Sequence, residues 1–133
     1  MGRGLACLTA LLLAVFVSGC GSEPEPDTLA PGIAQLVPAD GATGVASEPE
    51  VQVWFDETID CATSHDDLMF LNCDGTNYYG SVSCDQAQAM INLGLRNPLP
   101  AGAHCQVILE PGVRDAVGNR MSQQTRWFFD VTP

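Results

Sequence analysis

From residue 33 onward, apolar runs of about five to seven residues recur along the chain with turn residues between them. Val51, Val53 and Phe55 alternate with Gln52 and Trp54. Because strand side chains point to opposite faces in turn, this alternation places one apolar face inward. The same alternation recurs in residues 89–95 and 105–109. No window keeps a 3.6-residue period for three turns, so the pattern predicts an all-β fold.

Seven segments carry this strand pattern. They are residues 33–37, 51–55, 68–73, 78–84, 89–95, 105–109 and 126–131. The sequence between the third and fourth segments, Asp74-Gly75-Thr76-Asn77, has the composition of a hairpin turn. About seven short strands in roughly a hundred residues are typical of an Ig-like β-sandwich. We therefore predict a sandwich of about seven antiparallel strands over residues 33–133.

Five short motifs occur in a fixed order along the same region. They are Val37-Pro38-Ala39-Asp40-Gly41-Ala42-Thr43-Gly44-Val45, Val53-Trp54-Phe55-Asp56-Glu57, Gly80-Ser81-Val82, Leu99-Pro100-Ala101-Gly102 and Gly112-Val113-Arg114-Asp115-Ala116-Val117-Gly118-Asn119. Together they resemble the bacterial Ig-like domain of the S-layer (SbsA) type. The Asp, Asn and Gly residues within them are turn residues, so we expect them to shape loops rather than to perform chemistry.

The first twenty residues carry an export signal. Arg3 precedes an apolar run over residues 5–17, which is too short to span a hydrocarbon core of ~30 Å comfortably. Val17-Ser18-Gly19-Cys20 resembles a bacterial lipobox, which implies that residues 1–19 are removed as a signal peptide and that Cys20 is lipidated. The alternative is an ordinary secreted protein in which Cys20 is a spare thiol. Gly21 after the cysteine is similar to the enteric pattern for export to the outer membrane.

Residues 20–32 form the predicted linker. After Cys20, residues 21–32 contain three prolines and three acidic residues without an apolar period, which predicts a disordered, extended tether. Two or three acyl chains on Cys20 would hold the protein on a bilayer, since a single chain binds only marginally. We therefore expect the membrane to be one partner of the chain.

Charge excludes one class of partner. The chain carries 16 acidic residues against five arginines, a net charge of -11. Removal of residues 1–19 takes away Arg3 and no acid, which makes the net charge -12. Binding to nucleic acid depends on a basic patch that releases counterions, so we expect no nucleic-acid partner.

Four cysteines remain after the signal peptide and Cys20 are set aside: Cys61, Cys73, Cys84 and Cys105. An even number in an exported chain predicts two disulfides, for which three pairings are possible. If the strands alternate in direction as in an Ig-like sandwich, Cys73 shares one pole with Cys105, and Cys61 shares the other with Cys84. A zinc site is the alternative, but the Cys-x-x-Cys spacing is absent.

Two weaker site hypotheses arise from the loops and strand faces. The densest acidic stretch could bind calcium through its carboxylates, although it lacks an EF-hand order. Its members are Asp56, Glu57, Asp60, Asp66 and Asp67. Trp54, on the polar side of its strand, and Tyr78-Tyr79, near the hairpin tip, could form an exposed aromatic patch for a sugar or a protein.

We expect no enzymatic activity and no cofactor. The two histidines, His65 and His104, and the serines form no recognisable catalytic motif in the sequence. The sequence therefore predicts a lipid-anchored protein of the bacterial cell envelope, in the outer membrane. It would present one Ig-like domain in a structural or protein-interaction role with an unidentified envelope protein. The alternatives are a carbohydrate-binding or adhesion module, whose partner would be a glycan, and a fragment or inhibitor subunit of a separate enzyme.

Overall fold

A computed structural model describes residues 25–133 of the chain. These residues form nine β-strands and one 3₁₀ turn, Cys61–Thr63. The strands are β1 Ile33–Val37, β2 Ala42–Val45, β3 Val51–Phe55, β4 Met69–Cys73, β5 Thr76–Tyr78, β6 Gly80–Asp85, β7 Met90–Leu95, β8 His104–Leu109 and β9 Thr125–Val131. The predicted signal peptide and Cys20 lie outside the described residues.

The strands form two sheets that pack face to face. The four-stranded sheet has the order β1-β3-β7-β6, and the five-stranded sheet has the order β2-β9-β8-β4-β5. Each sheet turns one apolar face inward because its strands alternate apolar and polar residues. The fold is the all-β sandwich that the sequence predicts.

The strand count and one strand direction differ from the prediction. Residues 42–45 form an additional strand, β2, which pairs with β9 in parallel rather than antiparallel orientation. The predicted fourth strand, residues 78–84, is divided: β5 stays beside β4, and the chain then crosses to the other sheet, where β6 pairs with β7. The Asp74–Gly75 turn alone closes the β4–β5 hairpin, since Thr76 and Asn77 already pair with β4. Both turn residues have positive φ, 49° and 90°, as a two-residue hairpin of this kind requires.

The core consists of the inward positions of both sheets. Val51, Val53 and Phe55 are buried, which confirms the predicted inward face of β3. The largest fully buried side chains include Trp127 and Phe129 of β9. The Trp127 Nε1 donates a 2.8 Å hydrogen bond to the Pro38 carbonyl, so this ring also fixes the connection between β1 and β2.

The sandwich has two distinct poles. At one pole, β1 begins and β3 ends, and the bridge between Ile59 and Asp115 joins the loops that follow β3 and β8. We call it the acidic pole, defined by Asp27, Glu57 and Asp115. The opposite pole carries the Asp74–Gly75 turn and the end of β9.

The segment before β1 contacts the domain at the acidic pole. Pro31 is buried, and the Gly32 backbone N–H donates to the Asp56 carboxylate at 3.0 Å. The Asn119 Nδ2 donates to the Asp27 carbonyl at 3.0 Å. The last part of the predicted tether is therefore held against the sandwich. Among residues 25–133, no helix is long and apolar enough to cross a bilayer.

Candidate functional site

Three carboxylates from distant parts of the chain meet at the acidic pole. Asp27 precedes β1, Glu57 follows β3 and Asp115 lies in the loop between β8 and β9. One carboxylate oxygen from each lies within 4.8 Å of the other two. This is the group of side chains in residues 25–133 whose geometry comes nearest to that of a cation site.

Asp115 is the centre of this group and is the one buried charged residue among those described, with 1% exposure. Its Oδ1 accepts hydrogen bonds from the backbone N–H groups of Val117 and Asn119, at 3.0 and 2.8 Å. Its Oδ2 accepts from the Asn119 Nδ2 at 2.8 Å. Burial alone would raise the pKa of Asp115, but hydrogen bonds from Asn119, Val117 and Gly118 hold its pKa below the ordinary value. Asp115 is therefore a satisfied anion that shapes its loop.

Glu57 has the opposite electrostatic character. Its pKa is raised by burial, then by the negative charges of Asp27, Asp115 and Asp56, and by a hydrogen bond with Asp27. A cation would relieve this repulsion, but both Asp115 oxygens already accept hydrogen bonds from the loop. The main role of the arrangement is therefore structural: it holds the segment around Asp27 against the Asp115–Asn119 loop.

The five predicted calcium ligands are not brought together. Three of them bind backbone N–H groups at separate places: Asp56 accepts from Gly32, Asp60 from Ala62, and Asp66 from Val82. Asp67 is exposed, and its side chain makes no hydrogen bond within residues 25–133. Only Glu57 joins the three-carboxylate group, because Asp56, Asp60 and Asp66 serve loop and strand-edge hydrogen bonds instead.

Sequence reasoning missed two members of that group. Asp27 lies in the predicted disordered linker, and Asp115 belongs to a motif that we interpreted as turn chemistry. The usable signal was the Asp115-to-Asn119 spacing, since an Asp followed by Asn and Gly often organises a loop through its own side chain. Nothing in the sequence places Asp27 beside that loop.

The three predicted recognition aromatics do not form one patch. Trp54 is half-buried on the outer face of the four-stranded sheet, where its Nε1 donates to the Gln52 Oε1 at 3.0 Å. Tyr78 is half-buried and packs against the core. Tyr79, 42% exposed, stacks on Phe70 with ring centroids 5.2 Å apart, on the side of the five-stranded sheet. The prediction of a shared surface was wrong because the strand break at Tyr78–Gly80 separates these rings.

The outer face of the five-stranded sheet carries a second aromatic pair. Phe128 of β9 is 42% exposed, and the His104 ring stacks on it with centroids 5.4 Å apart. His104 Nδ1 also contacts the Asp130 carboxylate, directly opposite on β9. The Phe70–Tyr79 pair lies on the far side of the same face, on β4 and just after β5.

Between the two aromatic pairs runs a row of amide side chains. The pairing register places Phe128, Gln106, Asn72 and Asn77 opposite one another across β9, β8, β4 and β5. Asn72 Nδ2 donates to the Asn77 Oδ1 at 2.7 Å, and the Asn77 Nδ2 donates to the Tyr79 hydroxyl at 3.3 Å. We call this surface, formed by Phe70, Asn72, Asn77, Tyr79, His104, Gln106 and Phe128, the aromatic–amide face.

Two disulfides brace the sandwich. Cys73 and Cys105 are bonded across the adjacent strands β4 and β8, with Cα atoms 4.1 Å apart. Cys61 and Cys84 join the 3₁₀ turn to the edge strand β6, with Cα atoms 5.6 Å apart. These are the pairs expected from the strand directions. The described part of the chain contains no free cysteine.

A surface depression among residues 25–133 lies away from both the acidic pole and the aromatic–amide face. It has a volume of about 300 Å³ and lies between the loop before β3 and the loop after β7. Its lining residues are Glu48, Pro49, Leu95, Arg96, Asn97 and Pro98.

The two histidines lie far apart. His65 lies in the loop before β4, where its backbone carbonyl accepts a hydrogen bond from the Leu68 N–H, whereas His104 begins β8.

A family comparison matches almost the entire described region. A family model described as a bacterial Ig-like domain matches residues 27–131. The match begins at Asp27, the residue that Asn119 holds at the acidic pole. No curated protein matches the chain in sequence.

Several solved structures share the fold at low identity. The N-terminal part of the bacterial S-layer protein SbsC is similar with a TM-score of 0.59 and 20% identity, over 78% of this chain and 24% of that one. The S-layer protein rSbsC is similar with a TM-score of 0.58 and 20% identity, over 78% of this chain and 14% of that one. CopC from Methylosinus trichosporium OB3b has a TM-score of 0.56 and 14% identity, over 77% of this chain and 94% of its own. The chain therefore spans a small fraction of the S-layer proteins, and at these identities the likeness shows the fold alone.

Proposed function

The chain belongs to the bacterial Ig-like domain family, and from that premise we propose that it is a lipid-anchored cell-envelope protein that displays one such domain. In this proposal the domain has a structural or partner-binding role and performs no catalytic turnover. The family assignment supports a cell-surface or envelope domain. The lipid anchor and the outer-membrane location are finer proposals that rest on the sequence around Cys20.

The observation that carries the proposal is the pairing of all four cysteines in the described region. Disulfides persist in oxidising compartments and are rare where thiols are kept reduced. Two disulfides in a sandwich of this size therefore favour an exported protein. Export agrees with the charged, apolar and small-residue segments that precede Cys20.

The attachment at Asp27 limits how far the domain can stand from the bilayer. Seven residue steps separate Cys20 from Asp27, and a fully extended chain spans at most ~3.6 Å per residue. The acidic pole would therefore remain within ~25 Å of the lipidated cysteine. This reach is shorter than the full linker of residues 20–32 would allow, because Asp27 and Gly32 are fastened to the sandwich.

The proposal of a non-catalytic role follows from how the polar side chains are used. Asp56, Asp60 and Asp66 bind backbone N–H groups, and the buried Asp115 is fully engaged by its own loop. His104 pairs with Asp130 on an exposed sheet face, where it stacks on Phe128. These groups stabilise loops and strand edges, which is the work expected in a scaffold domain.

Metabolic labelling with an alkyne analogue of palmitate tests the lipid anchor. In the native bacterial host, we expect the wild-type protein to be labelled and to fractionate with the outer membrane. The Cys20→Ser variant should lose the label and leave the membrane fraction. Cys7→Ser is the matched control, because Cys7 lies in the predicted signal peptide and its loss should leave labelling unchanged. An unlabelled, soluble wild-type protein, or equal labelling of Cys20→Ser, would contradict the proposal.

A further inference from the structure

We propose that the aromatic–amide face binds a neutral polysaccharide. Tyr79 and Phe128 would stack on the apolar faces of sugar rings, and Gln106 would bond sugar hydroxyls between them. The inference rests on the proposed envelope display role and names the surface and the chemical class of one partner.

The arrangement of the face suits a hydroxylated ring polymer. Two aromatic pairs stand on opposite sides of a row of three amide side chains, Gln106, Asn72 and Asn77, which crosses β8, β4 and β5. Strands lie about 4.8 Å apart, so β9 and β4 are separated by about 10 Å. A saccharide chain presents C–H faces that cover aromatic rings and hydroxyls that pair with amide donors and acceptors.

Gln106 supplies the free hydrogen-bonding groups at the centre of the row. It is half-buried between Phe128 and Asn72, and within residues 25–133 its amide has no hydrogen-bond partner. Asn72, by contrast, is already engaged by the Gly75 N–H and by Asn77. Gln106 is therefore the side chain best placed to donate to and accept from one bound sugar.

The strands beneath the face are held rigidly. The Cys73–Cys105 disulfide joins β4 to β8, the two strands that carry Phe70, Asn72, His104 and Gln106 on the opposite side. Cross-linking of the two central strands fixes the spacing of the side chains above them. A surface that is ordered before binding loses less entropy when a ligand arrives.

Charge selects a neutral glycan. The row of Phe128, Gln106, Asn72 and Asn77 contains no charged side chain. The charged neighbours of Phe128 on this face of β9 are already paired, Arg126 with Gln124 and Asp130 with His104. The chain beyond residue 19 carries a net charge of -12, so it repels polyanionic polymers. A neutral polysaccharide does not meet this repulsion.

The experiment measures binding of purified, full-length lipidated protein in detergent micelles. Isothermal titration with two neutral probes, cellohexaose and N-acetylchitohexaose, is compared with heparin as a polyanion. We expect one or both neutral probes to bind and heparin not to bind. Phe128→Ala, Tyr79→Ala and Gln106→Ala should each weaken binding by about 5- to 10-fold, the loss expected for one stacking or hydrogen-bonding contact.

Trp54→Ala is the matched control, because Trp54 lies on the outer face of the other sheet. It should change affinity less than about twofold, a ratio worth only a few tenths of a kcal/mol. Phe128→Tyr and Tyr79→Phe keep the rings and should retain binding, and a urea midpoint close to the wild-type value shows that each variant is folded.

Two results would overturn the inference: the absence of binding to both neutral probes, or a loss of binding in Trp54→Ala equal to that in Phe128→Ala. Preferential binding of heparin would also overturn it. These outcomes are independent of lipidation, since the Cys20→Ser protein is measured in parallel. If the protein is labelled by the palmitate analogue but binds no glycan, only the glycan inference is refuted. If it binds glycan but is not labelled, only the lipid anchor is refuted.

Discussion

At the scale of single residues, the domain is organised by side chains that bond distant backbone groups. The Trp127 indole donates to the Pro38 carbonyl across most of the domain sequence. Asp115 gathers the N–H groups of its own loop, and Asn119 extends that loop to Asp27. These contacts link the segment before β1 to the loop between β8 and β9, and the β1–β2 connection to β9.

Trp127→Phe tests the indole contact. One aromatic ring is kept, but part of the buried volume and the hydrogen bond to the Pro38 carbonyl are lost. We expect the free energy of unfolding to fall by about 1 to 3 kcal/mol, the cost of leaving a buried acceptor unsatisfied. Urea denaturation followed by circular dichroism measures it. Phe128→Leu, an exposed neighbour on the same strand, is the control, and an equal effect of both substitutions would contradict the assignment.

Glu57→Gln tests the electrostatics of the acidic pole. The pKa of Glu57 is raised in the folded state, so its ionisation at neutral pH costs stability. We expect the variant to be more stable than wild type at pH 7. The difference should shrink as pH falls from the raised pKa toward the ordinary Glu value of about 4.5, below which both states bind the proton.

Asp115→Asn should behave in the opposite way. Its pKa is lowered in the fold, so the ionised carboxylate contributes stability above the ordinary Asp value of 3.8. That contribution is lost only as pH falls through the lowered folded-state pKa. We therefore expect a loss of stability at pH 7 that diminishes in acid. Thermal melts at several pH values measure the stability of Glu57→Gln and Asp115→Asn. The control is Asp67→Asn, because Asp67 is exposed and its side chain makes no hydrogen bond within residues 25–133. This substitution should leave the melting temperature unchanged.

At the scale of secondary-structure elements, the edges and crossings of strands determine the architecture. The β6 edge is covered by the loop that follows β3, through the Cys61–Cys84 disulfide and the hydrogen bond from the Val82 N–H to Asp66. An uncovered edge strand would offer unpaired N–H and C=O groups to other chains. Asp66, one of the five residues predicted to bind calcium, thus helps to protect an edge.

The start of β6 requires glycine. A Cβ at Gly80 would overlap the backbone carbonyl of Gly94 on β7, which cannot move without breaking the pairing. We expect Gly80→Ala to lower the free energy of unfolding by about 1 to 3 kcal/mol, as overpacking does. Gly94→Ala is the matched control on the facing strand, since its nearest contact would be an ordinary 3.7 Å to the Ser81 carbonyl. A smaller effect at Gly80 than at Gly94 would contradict this register.

Each disulfide should contribute substantial stability. The bridges close loops of 23 and 32 residues, and the chain-entropy relation gives about 3 to 4 kcal/mol for each. Peptide mapping without reductant should recover Cys61 with Cys84 and Cys73 with Cys105. Paired replacement by serine should lower the urea midpoint for either bridge, and any other cysteine pairing in the map would refute the strand directions.

The predictability of these elements followed the strength of local alternation. β3, β7, β8 and β9 alternate clearly and were all found from sequence. β2, with the sequence Ala-Thr-Gly-Val, has too few apolar residues for a strand to be predicted from sequence. It is a strand because it pairs in parallel with β9. The break between β5 and β6 could not be predicted from a continuous run of strand-forming residues. It arises because β5 pairs with β4 in one sheet and β6 pairs with β7 in the other. The three-carboxylate group was likewise hidden, since Asp27, Glu57 and Asp115 meet only after both sheets pack.

At the scale of the whole molecule, the three-carboxylate group is confined to one pole of the sandwich. The acidic pole gathers Asp27, Glu57 and Asp115 together with the loop acids after β3, whereas the aromatic–amide face carries amides and rings. A polymer can therefore approach the face sideways without meeting the repulsive pole. In the proposed arrangement the pole points toward the bilayer and the face stands at the side.

The two poles also determine how the domain would carry tension. The chain enters at the acidic pole through Asp27, and β9 ends at the opposite pole. A load applied between these points runs parallel to the strands. The hydrogen bonds between β1 and β3 and between β2 and β9 are perpendicular to that load, so they would have to break together rather than one after another. The sandwich is therefore oriented to resist tension applied along its strands.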